Sequence, residues 1–368
     1  MSAATRGRMS WTFVAPIVGL LVLLVSWGRH PDAWVAALIA IPLIGAVLAA
    51  VHHAEVVAHR VGEPYGSLVL AVAVTVIEVA LIVTLMVSGG SGASTYARDT
   101  VFAAVMISCN GIVGLALLVC ALRHHLANFN PEGTGSALAT VITLASVTLV
   151  LPRFTTSAPG PEFSSSQLAF AATASLALYC LFVFTQTVRH RDFFLPVSPD
   201  LPGPHDDDGD GHADPPSARD AWISIGLLVV GLVAVVGLAK VESPSIEQGV
   251  KAAGFPAASV GVVIALLVLL PESIAAVRAA ARDDVQISLN LAYGSAMASI
   301  GLTIPTIAVA TIFLDDPLLL GLEPMQIVLL AITSVVSVLT VVPGRSKPLN
   351  GGVHLVLLAA FIFLSLQP

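Results

Sequence analysis

The sequence predicts an all-α polytopic membrane protein with about eleven transmembrane helices, because the chain is far more apolar than soluble proteins are. Of its 368 residues, 56% are hydrophobic and 11% are charged, whereas soluble domains carry about 25% charged residues. Apolar runs of about 20 residues recur, which is the length that an α-helix needs to cross a hydrocarbon core. The lipid bilayer is therefore the predicted partner, and the acidic net charge of −7 gives no indication of nucleic-acid binding.

The apolar runs divide the chain into an N-terminal helix (1–31), a first five-helix repeat (32–188), a linker (189–220) and a second five-helix repeat (221–368). The first run lacks a small-residue cleavage site followed by a soluble domain, so we interpret it as a retained helix. The predicted spans are 12–28, 32–52, 66–88, 99–122, 135–151, 166–186, 221–241, 257–280, 287–313, 323–342 and 350–366.

The distribution of Lys and Arg predicts the orientation in the membrane. Loops on the side of the N-terminus carry eleven of these residues, and loops on the other side carry five. Because cytoplasmic loops are enriched in Lys and Arg, we expect a multi-pass protein of the inner (cytoplasmic) membrane with a cytoplasmic N-terminus and an outside C-terminus.

The linker is rich in Pro, Gly and Asp, which predicts a solvated cytoplasmic loop. Asp206, Asp208, Asp210 and Gly211 match the first, third, fifth and sixth positions of an EF-hand loop. The twelfth position, where a bidentate Glu is expected, is Ser217. Two interpretations stay open: a weak or regulatory cation site, and a plain acidic linker.

Two acids lie well inside predicted spans, one in each repeat. Glu78 sits in VAVTVIEVALIV and Glu272 in GVVIALLVLLPESIAAV, and each belongs to the second span of its repeat. Because each repeat has an odd number of spans, the second repeat enters the membrane from the side opposite to the first. The two repeats are therefore expected to be inverted relative to each other, as in many transporters. Intramembrane acids are costly and typically mark ion or proton pathways, and Pro271 predicts a helix break beside Glu272.

The same region of each repeat supplies neutral oxygen atoms. The third spans contain VMISCNGIVGL and NLAYGSAMASIGLTIP, which are unusually polar for a membrane helix. Hard cations prefer several oxygen ligands, so two carboxylates and neighbouring polar groups predict a site at which cations and protons compete. The predicted auxiliary ligands are Thr75, Ser108, Asn110, Asn290, Ser295 and Ser299.

Three other interpretations are weighed against this one. Each polar residue could instead make an interhelical hydrogen bond. His52, Glu55 and His59 share a helix face and could form the metal site of an integral-membrane hydrolase. A scaffold without transport activity would have no use for two buried acids.

The stretches HAEVVAHRVGEPYGSLVLAVAVTVIEVALIV and LLPESIAAVRAAARDDVQISLNLAYGSA resemble bacterial cation/proton antiporters of the ChaA type, in the calcium/cation antiporter superfamily. The resemblance covers nearly the whole chain. It implies a non-enzymatic antiporter without a cofactor that exchanges Ca²⁺, Na⁺ or K⁺ for protons, with Glu78 and Glu272 as the cation carboxylates, facing each other at mid-membrane. Gly62-Glu63 stand where the family has Gly-Asp, and Asn110 and Gly294-Ser295-Ala296 fall on motif positions.

The chain also departs from the family pattern. The Gly-Asn that precedes each family Glu is replaced by Val74-Thr75 and by Val268-Leu269, and Ala298 stands where a Gln is expected. Fewer neutral oxygens argue against strict calcium selectivity. The sequence leaves the physiological ion and the oligomeric state open, including a homo-oligomer.

Overall fold

A computed structural model describes residues 10–29, 31–62, 65–88, 93–196, 216–313 and 317–368, and these residues are predominantly helical. The helices are α1 (Trp11–Ser26), α2 (Ala33–Val61), α3 (Tyr65–Ser88), α4 (Tyr96–Met106), α5 (Val113–His124), α6 (Pro131–Ala145), α7 (Ser165–Phe184), α8 (Ala218–Ala252), α9 (Ala258–Ala280), α10 (Val285–Gly301), α11 (Thr303–Ala310), α12 (Pro324–Val341) and α13 (Pro348–Leu366). Shorter π- or 3₁₀-helical segments are Ile107–Ile112, Ser146–Val150, Leu151–Arg153, Thr185–Arg189, Arg191–Phe194 and Thr311–Phe313.

Ten helical segments among the described residues are long and apolar enough to cross a membrane, and α1 is apolar but shorter. Many large apolar side chains point outward, including Trp34, Phe170 and Val356. Such a surface suits a hydrocarbon environment, in which only helices and closed barrels satisfy their backbone groups. The predicted all-α polytopic membrane fold is confirmed.

Two spans are longer than predicted. The predicted span 32–52 lies in α2, which continues to Val61, and the predicted span 221–241 lies in α8, which continues to Ala252. Charged residues after Val241, together with Pro244, indicated a helix end, but α8 passes through Pro244. Because α8 continues, Glu242 lies inside a helix that is apolar enough to span the membrane, and it is buried. Glu242 is thus a further buried acid of α8, one residue beyond the predicted span.

The predicted helix break at Pro271 was also wrong, because α9 is helical on both sides of it. Proline removes one backbone N–H from the helix ladder, and neighbouring helices in a membrane protein tolerate that loss. Backbone irregularities do occur in both third spans. A π-helical turn at Ile107–Ile112 separates α4 from α5, and Leu302 separates α10 from α11.

The described chain divides into two compact units. The first comprises residues 1–73 and 215–245 and contains α1, α2, the start of α3 and most of α8. Small residues allow close packing there: a Cβ on Gly19 would lie 3.2 Å from the Cβ atoms of both Ala46 and Ala234. His53 is buried and joins these helices, with Nε2 3.0 Å from the carbonyl oxygen of Thr12 and Nδ1 3.2 Å from Ser224 Oγ.

The second unit comprises residues 74–214 and 246–368. In it α9 packs against α4 and α10, and α13 packs against α5. Two short strands, β1 (Ala127–Asn128) and β2 (Arg345–Ser346), pair antiparallel in the loops that follow α5 and α12. This two-residue ladder is the exception to the predicted all-helical structure.

Several predictions concern residues outside the described part of the chain. Glu63 is one, and so are Asp206, Asp208, Asp210 and Gly211 of the EF-hand-like segment. Among the described cysteines, Cys109 and Cys120 are buried, whereas Cys180 is exposed.

The contact between α5 and α13 predicts a specific packing defect. A Cβ on Gly351 would lie 2.6 Å from the backbone nitrogen of Leu118 and 2.7 Å from the carbonyl oxygen of Gly114. We expect Gly351→Ala to destabilise the protein by ~1–3 kcal/mol, because backbone atoms cannot move aside as a side chain does. The melting temperature of the purified protein in detergent measures this loss.

Gly352→Ala is the matched control, since a Cβ at Gly352 would have no heavy atom within 4 Å. Equal melting temperatures for the two variants would show that α5 and α13 do not approach this closely.

Candidate functional site

The carboxylate of Glu78 is the centre of the candidate site. Glu78 lies in α3 and is 4% exposed. Its Oε1 accepts a hydrogen bond from Ser299 Oγ, and its Oε2 accepts one of 3.2 Å from Thr303 Oγ1. Both donors are themselves buried. Two buried hydrogen-bond donors therefore surround the acid inside an apolar span.

The two hydroxyl groups lie on opposite sides of a break in the third span of the second repeat. Ser299 is near the end of α10, Leu302 interrupts the helix, and Thr303 begins α11. Residues four apart share a helix face, and here both side chains bond the same carboxylate. Since a hydroxyl donates one hydrogen and retains lone pairs, each can bond Glu78 and still offer oxygen to a cation.

Glu272 occupies a corresponding place in the second repeat. It lies in α9, directly after Pro271, and is half-buried. Helix α9 packs against α4 and against the π-helical turn at 107–112, which form the irregular third span of the first repeat. Each acid-bearing helix thus contacts the irregular third span of the other predicted repeat.

Two further predicted ligands have hydroxyl groups that remain open. Thr75 lies one turn before Glu78 on the same face of α3, and Ser108 lies in the π-helical turn. Both are buried, and neither hydroxyl oxygen has a hydrogen-bond partner among the residues that the structure describes. Buried polar groups are normally paired, so these two oxygens fit the donor set of a bound cation.

Asn110 is held by a different set of contacts. Its Nδ2 donates to Thr333 Oγ1 at 3.0 Å, and its Oδ1 lies 3.1 Å from His354 Nδ1. The other ring nitrogen of His354 lies 3.2 Å from Thr340 Oγ1. All four residues are buried. Asn110 therefore ties the π-helical turn to α12 and α13.

The remaining predicted ligands lie along α10. Asn290 donates from Nδ2 to the carbonyl oxygen of Phe194 at 2.7 Å and accepts from Gln286 at 2.9 Å. Ser295 lies one turn before Ser299 and is half-buried. Of the eight predicted residues, the structure brings Glu78 and Ser299 into direct hydrogen-bond contact.

Sequence reasoning missed Thr303 and His354. Thr303 is four residues after Ser299, a spacing that places it on the same helix face, and that spacing could have indicated it. No local pattern pairs His354 with Asn110, which is 244 positions away.

The alternative metal site at His52, Glu55 and His59 is not formed. His52 Nδ1 lies 4.0 Å from Glu55 Oε2, with both side chains more than two-fifths exposed. No group of three or more His, Cys, Asp and Glu that could hold a metal ion occurs in the described ranges. The arrangement of these three side chains therefore gives no support to the hydrolase interpretation.

Comparison with known proteins identifies the family. The family model described as "Sodium/calcium exchanger protein" matches residues 32–188 and 223–367. The chain belongs to this family. It is thus a membrane transporter of the cation exchangers and not an enzyme.

Two relatives agree with that assignment, and a solved structure shares the fold. The sodium-potassium/proton antiporter ChaA of Escherichia coli is 34% identical over 355 residues, which covers 95% of this chain and 94% of ChaA. The protein y4hA of Sinorhizobium fredii, named as a candidate ionic transporter, is 43% identical over 365 residues, 97% of this chain and 96% of y4hA. The structure of native YfkE superposes with a TM-score of 0.74 at 15% identity, covering 97% of this chain and all of YfkE.

The contacts of Glu78 predict the effect of removing one hydroxyl. Thr303→Val keeps the side-chain shape and deletes the hydrogen bond to Oε2. A hydrogen bond to a charged group contributes about 1.5–3 kcal/mol, so we expect the half-saturating cation concentration to change by about tenfold or more. Cation-dependent proton movement in everted vesicles measures it.

Thr306→Val is the control, because Thr306 is exposed and bonds the carbonyl oxygen of Leu302 within its own helix. If the two variants showed the same half-saturation as the parent protein, the Thr303 hydroxyl would play no part in the site.

Proposed function

We propose that this protein is a secondary active antiporter that exchanges Na⁺, K⁺ or Ca²⁺ for protons, with Glu78 and Glu272 as the shared site of cation and proton. One observation carries the proposal. Glu78 is enclosed in an apolar span, its partners there are the hydroxyls of Ser299 and Thr303, and no Lys or Arg of the described residues pairs with it.

The chemistry follows from that enclosure. A carboxylate removed from water needs a proton or a positive partner. When a cation arrives, it replaces the proton, and when the cation leaves, a proton returns. Because both ligands occupy the same oxygens, one cannot bind without displacing the other, and this exclusion couples the two flows.

The donor set supports small hard cations. Carboxylate and hydroxyl oxygens are the ligands that such cations prefer. Thr75, Ser108, Ser299 and Thr303 carry buried hydroxyl groups, and those of Ser299 and Thr303 contact Glu78. Two carboxylates balance one divalent ion, or one monovalent ion and a proton. The name of the Escherichia coli relative specifies sodium, potassium and protons, which favours the monovalent ions as cargo beside calcium.

Alternating access supplies the transport cycle. The two repeats, 32–188 and 221–368, present the site first to one side of the membrane and then to the other. We place the protein in the inner membrane, with its N-terminus and the acidic linker 189–220 in the cytoplasm, because Lys and Arg concentrate in the loops of that side.

Neutralising either acid tests the shared site. We expect Glu78→Gln and Glu272→Gln each to abolish cation-dependent proton movement, because an amide keeps the shape but can neither release a proton nor balance a cation. Fluorescence of a proton-sensitive dye in everted vesicles measures the exchange. Glu132→Gln, which alters an exposed acid at the start of α6, should leave the rate unchanged.

Near-normal exchange by either buried-site variant, at equal expression, would exclude that acid from the shared site.

Competition also predicts how cation affinity depends on pH. Cations bind the ionised carboxylates, so apparent affinity should weaken as the pH on the binding side falls and level off at high pH, where no protons remain to be displaced. Displacement of two protons by one ion gives about a hundredfold change per pH unit, and one proton gives about tenfold.

The half-saturating concentrations of Na⁺, K⁺ and Ca²⁺, each measured at several pH values, give the slope and the selectivity together. An affinity that does not vary with pH would rule out competition at the glutamates.

A further inference from the structure

Glu242 is a buried acid that the proposed exchange site does not use. It lies in the C-terminal part of α8, and it is 4% exposed. Burial of an acid to this degree is costly in any protein, and more so within a membrane span. The side chain therefore needs a partner that balances its charge.

No protein group supplies that balance in the described part of the chain. Glu242 Oε1 is enclosed and has no hydrogen-bond partner there. The nearest cation along the sequence, Lys240, is exposed, and its Nζ lies 5.3 Å from the ring centroid of Trp27. Residues two apart on a helix point in nearly opposite directions, so Lys240 is directed to the aromatic ring and away from Glu242.

The backbone of the same turn offers a second oxygen. Pro244 lies inside α8 and has no N–H, so the carbonyl group of Lys240 lacks its usual helix hydrogen bond. The side chain of Ser243, which is fully buried, lies between them in sequence. A carboxylate and a carbonyl group released from its helix bond, both within one turn of α8, are oxygen ligands of the kind that a small hard cation prefers.

Other charged groups at this end of the first unit are in contact with solvent. The exposed ones are Arg29, Asp32 and Lys240. Ser245 Oγ, one residue beyond Pro244, donates to the carbonyl oxygen of Pro31 at 3.4 Å and so links this turn to the segment before α2. Glu242 is thus the buried acid of this end of the unit, and its neighbours along the helix hold the turn in place.

We propose that Glu242 is a third ion-binding carboxylate, which takes a small inorganic cation of the kind that the protein transports and exchanges it for a proton. It is not one of the hydrogen-bond partners of Glu78. The proposal rests on the proposed function only for the choice of cation, and binding at Glu242 does not require exchange at Glu78 and Glu272.

Chemical labelling tests binding without transport. Dicyclohexylcarbodiimide reacts with protonated carboxylic acids in apolar surroundings, and mass spectrometry locates the labelled residue. The test uses the full chain carrying both Glu78→Gln and Glu272→Gln, so that exchange is absent. We expect labelling at Glu242 to slow by about tenfold when Na⁺, K⁺ or Ca²⁺ is present at about ten times its dissociation constant, as mass action requires.

Labelling that proceeds at the same rate at every cation concentration would overturn the proposal and leave Glu242 as a permanently protonated structural acid. Absence of labelling at Glu242 in the cation-free protein would also overturn it. Because the labelled protein cannot exchange ions at the first site, either result is independent of whether the proposed function is correct.

Transport in otherwise unaltered protein gives a second readout. Glu242→Gln should raise the half-saturating cation concentration on one side of the membrane by about tenfold and flatten its pH dependence there, whereas Glu242→Asp should retain both. Glu247→Gln is the matched control on the same helix, since its amide oxygen can still accept the 3.1 Å hydrogen bond that Tyr96 donates to Glu247. Equal half-saturation and pH slopes for the Gln variants at 242 and 247 would contradict a role in ion binding.

Discussion

An isolated carboxylate in an apolar, water-poor medium must be neutralised, and this requirement explains the arrangement around Glu78. The acid is enclosed in α3 and held by two hydroxyl groups, which stabilise its charge in part but do not cancel it. Both hydroxyls come from one helix break at Leu302. An uninterrupted α-helix would leave fewer backbone N–H and C=O groups free at this depth, and it would be less mobile. The helix break and the buried acid are therefore parts of one arrangement.

The polar groups of the second unit fall into two kinds that differ in their hydrogen bonding. Asn110 and His354 are saturated by each other and by Thr333 and Thr340, and satisfied buried networks are rigid. Thr75 and Ser108 have open hydroxyls among the described residues. The first kind anchors the π-helical turn to α12 and α13, while the second leaves oxygens available to a ligand. An ion site needs both kinds of group. Ligands that nothing holds in place select poorly among ions, and groups whose hydrogen bonds are all made cannot bind an ion.

Hydropathy predicted the spans because the membrane imposes a local rule: each crossing segment must satisfy its own backbone and present apolar side chains. The two acids at 78 and 272 were also visible, since a single charge stands out in an apolar run. Helix ends were less predictable. Lys240, Glu242 and Pro244 indicated the end of a span, yet α8 continues to Ala252, because the protein around it supplies the surroundings that the isolated segment lacks.

The sequence could not predict which distant residues form hydrogen bonds with each other, and these hydrogen bonds affect cation selectivity. Asn110 matched a ligand motif, but its carbonyl oxygen is directed to His354, and turning it to an ion would break bonds of about 1 kcal/mol each. Asn290 is likewise held, by Gln286 and Phe194. With both amides engaged, the oxygens left are carboxylates and hydroxyls. Hydroxyl groups on the two sides of a helix break can move to fit cations of different radius, whereas amide carbonyl groups held in fixed positions cannot. For the proposed exchange site, this donor set predicts weak discrimination among small cations and a binding energy that depends mostly on the carboxylates, and thus on protons.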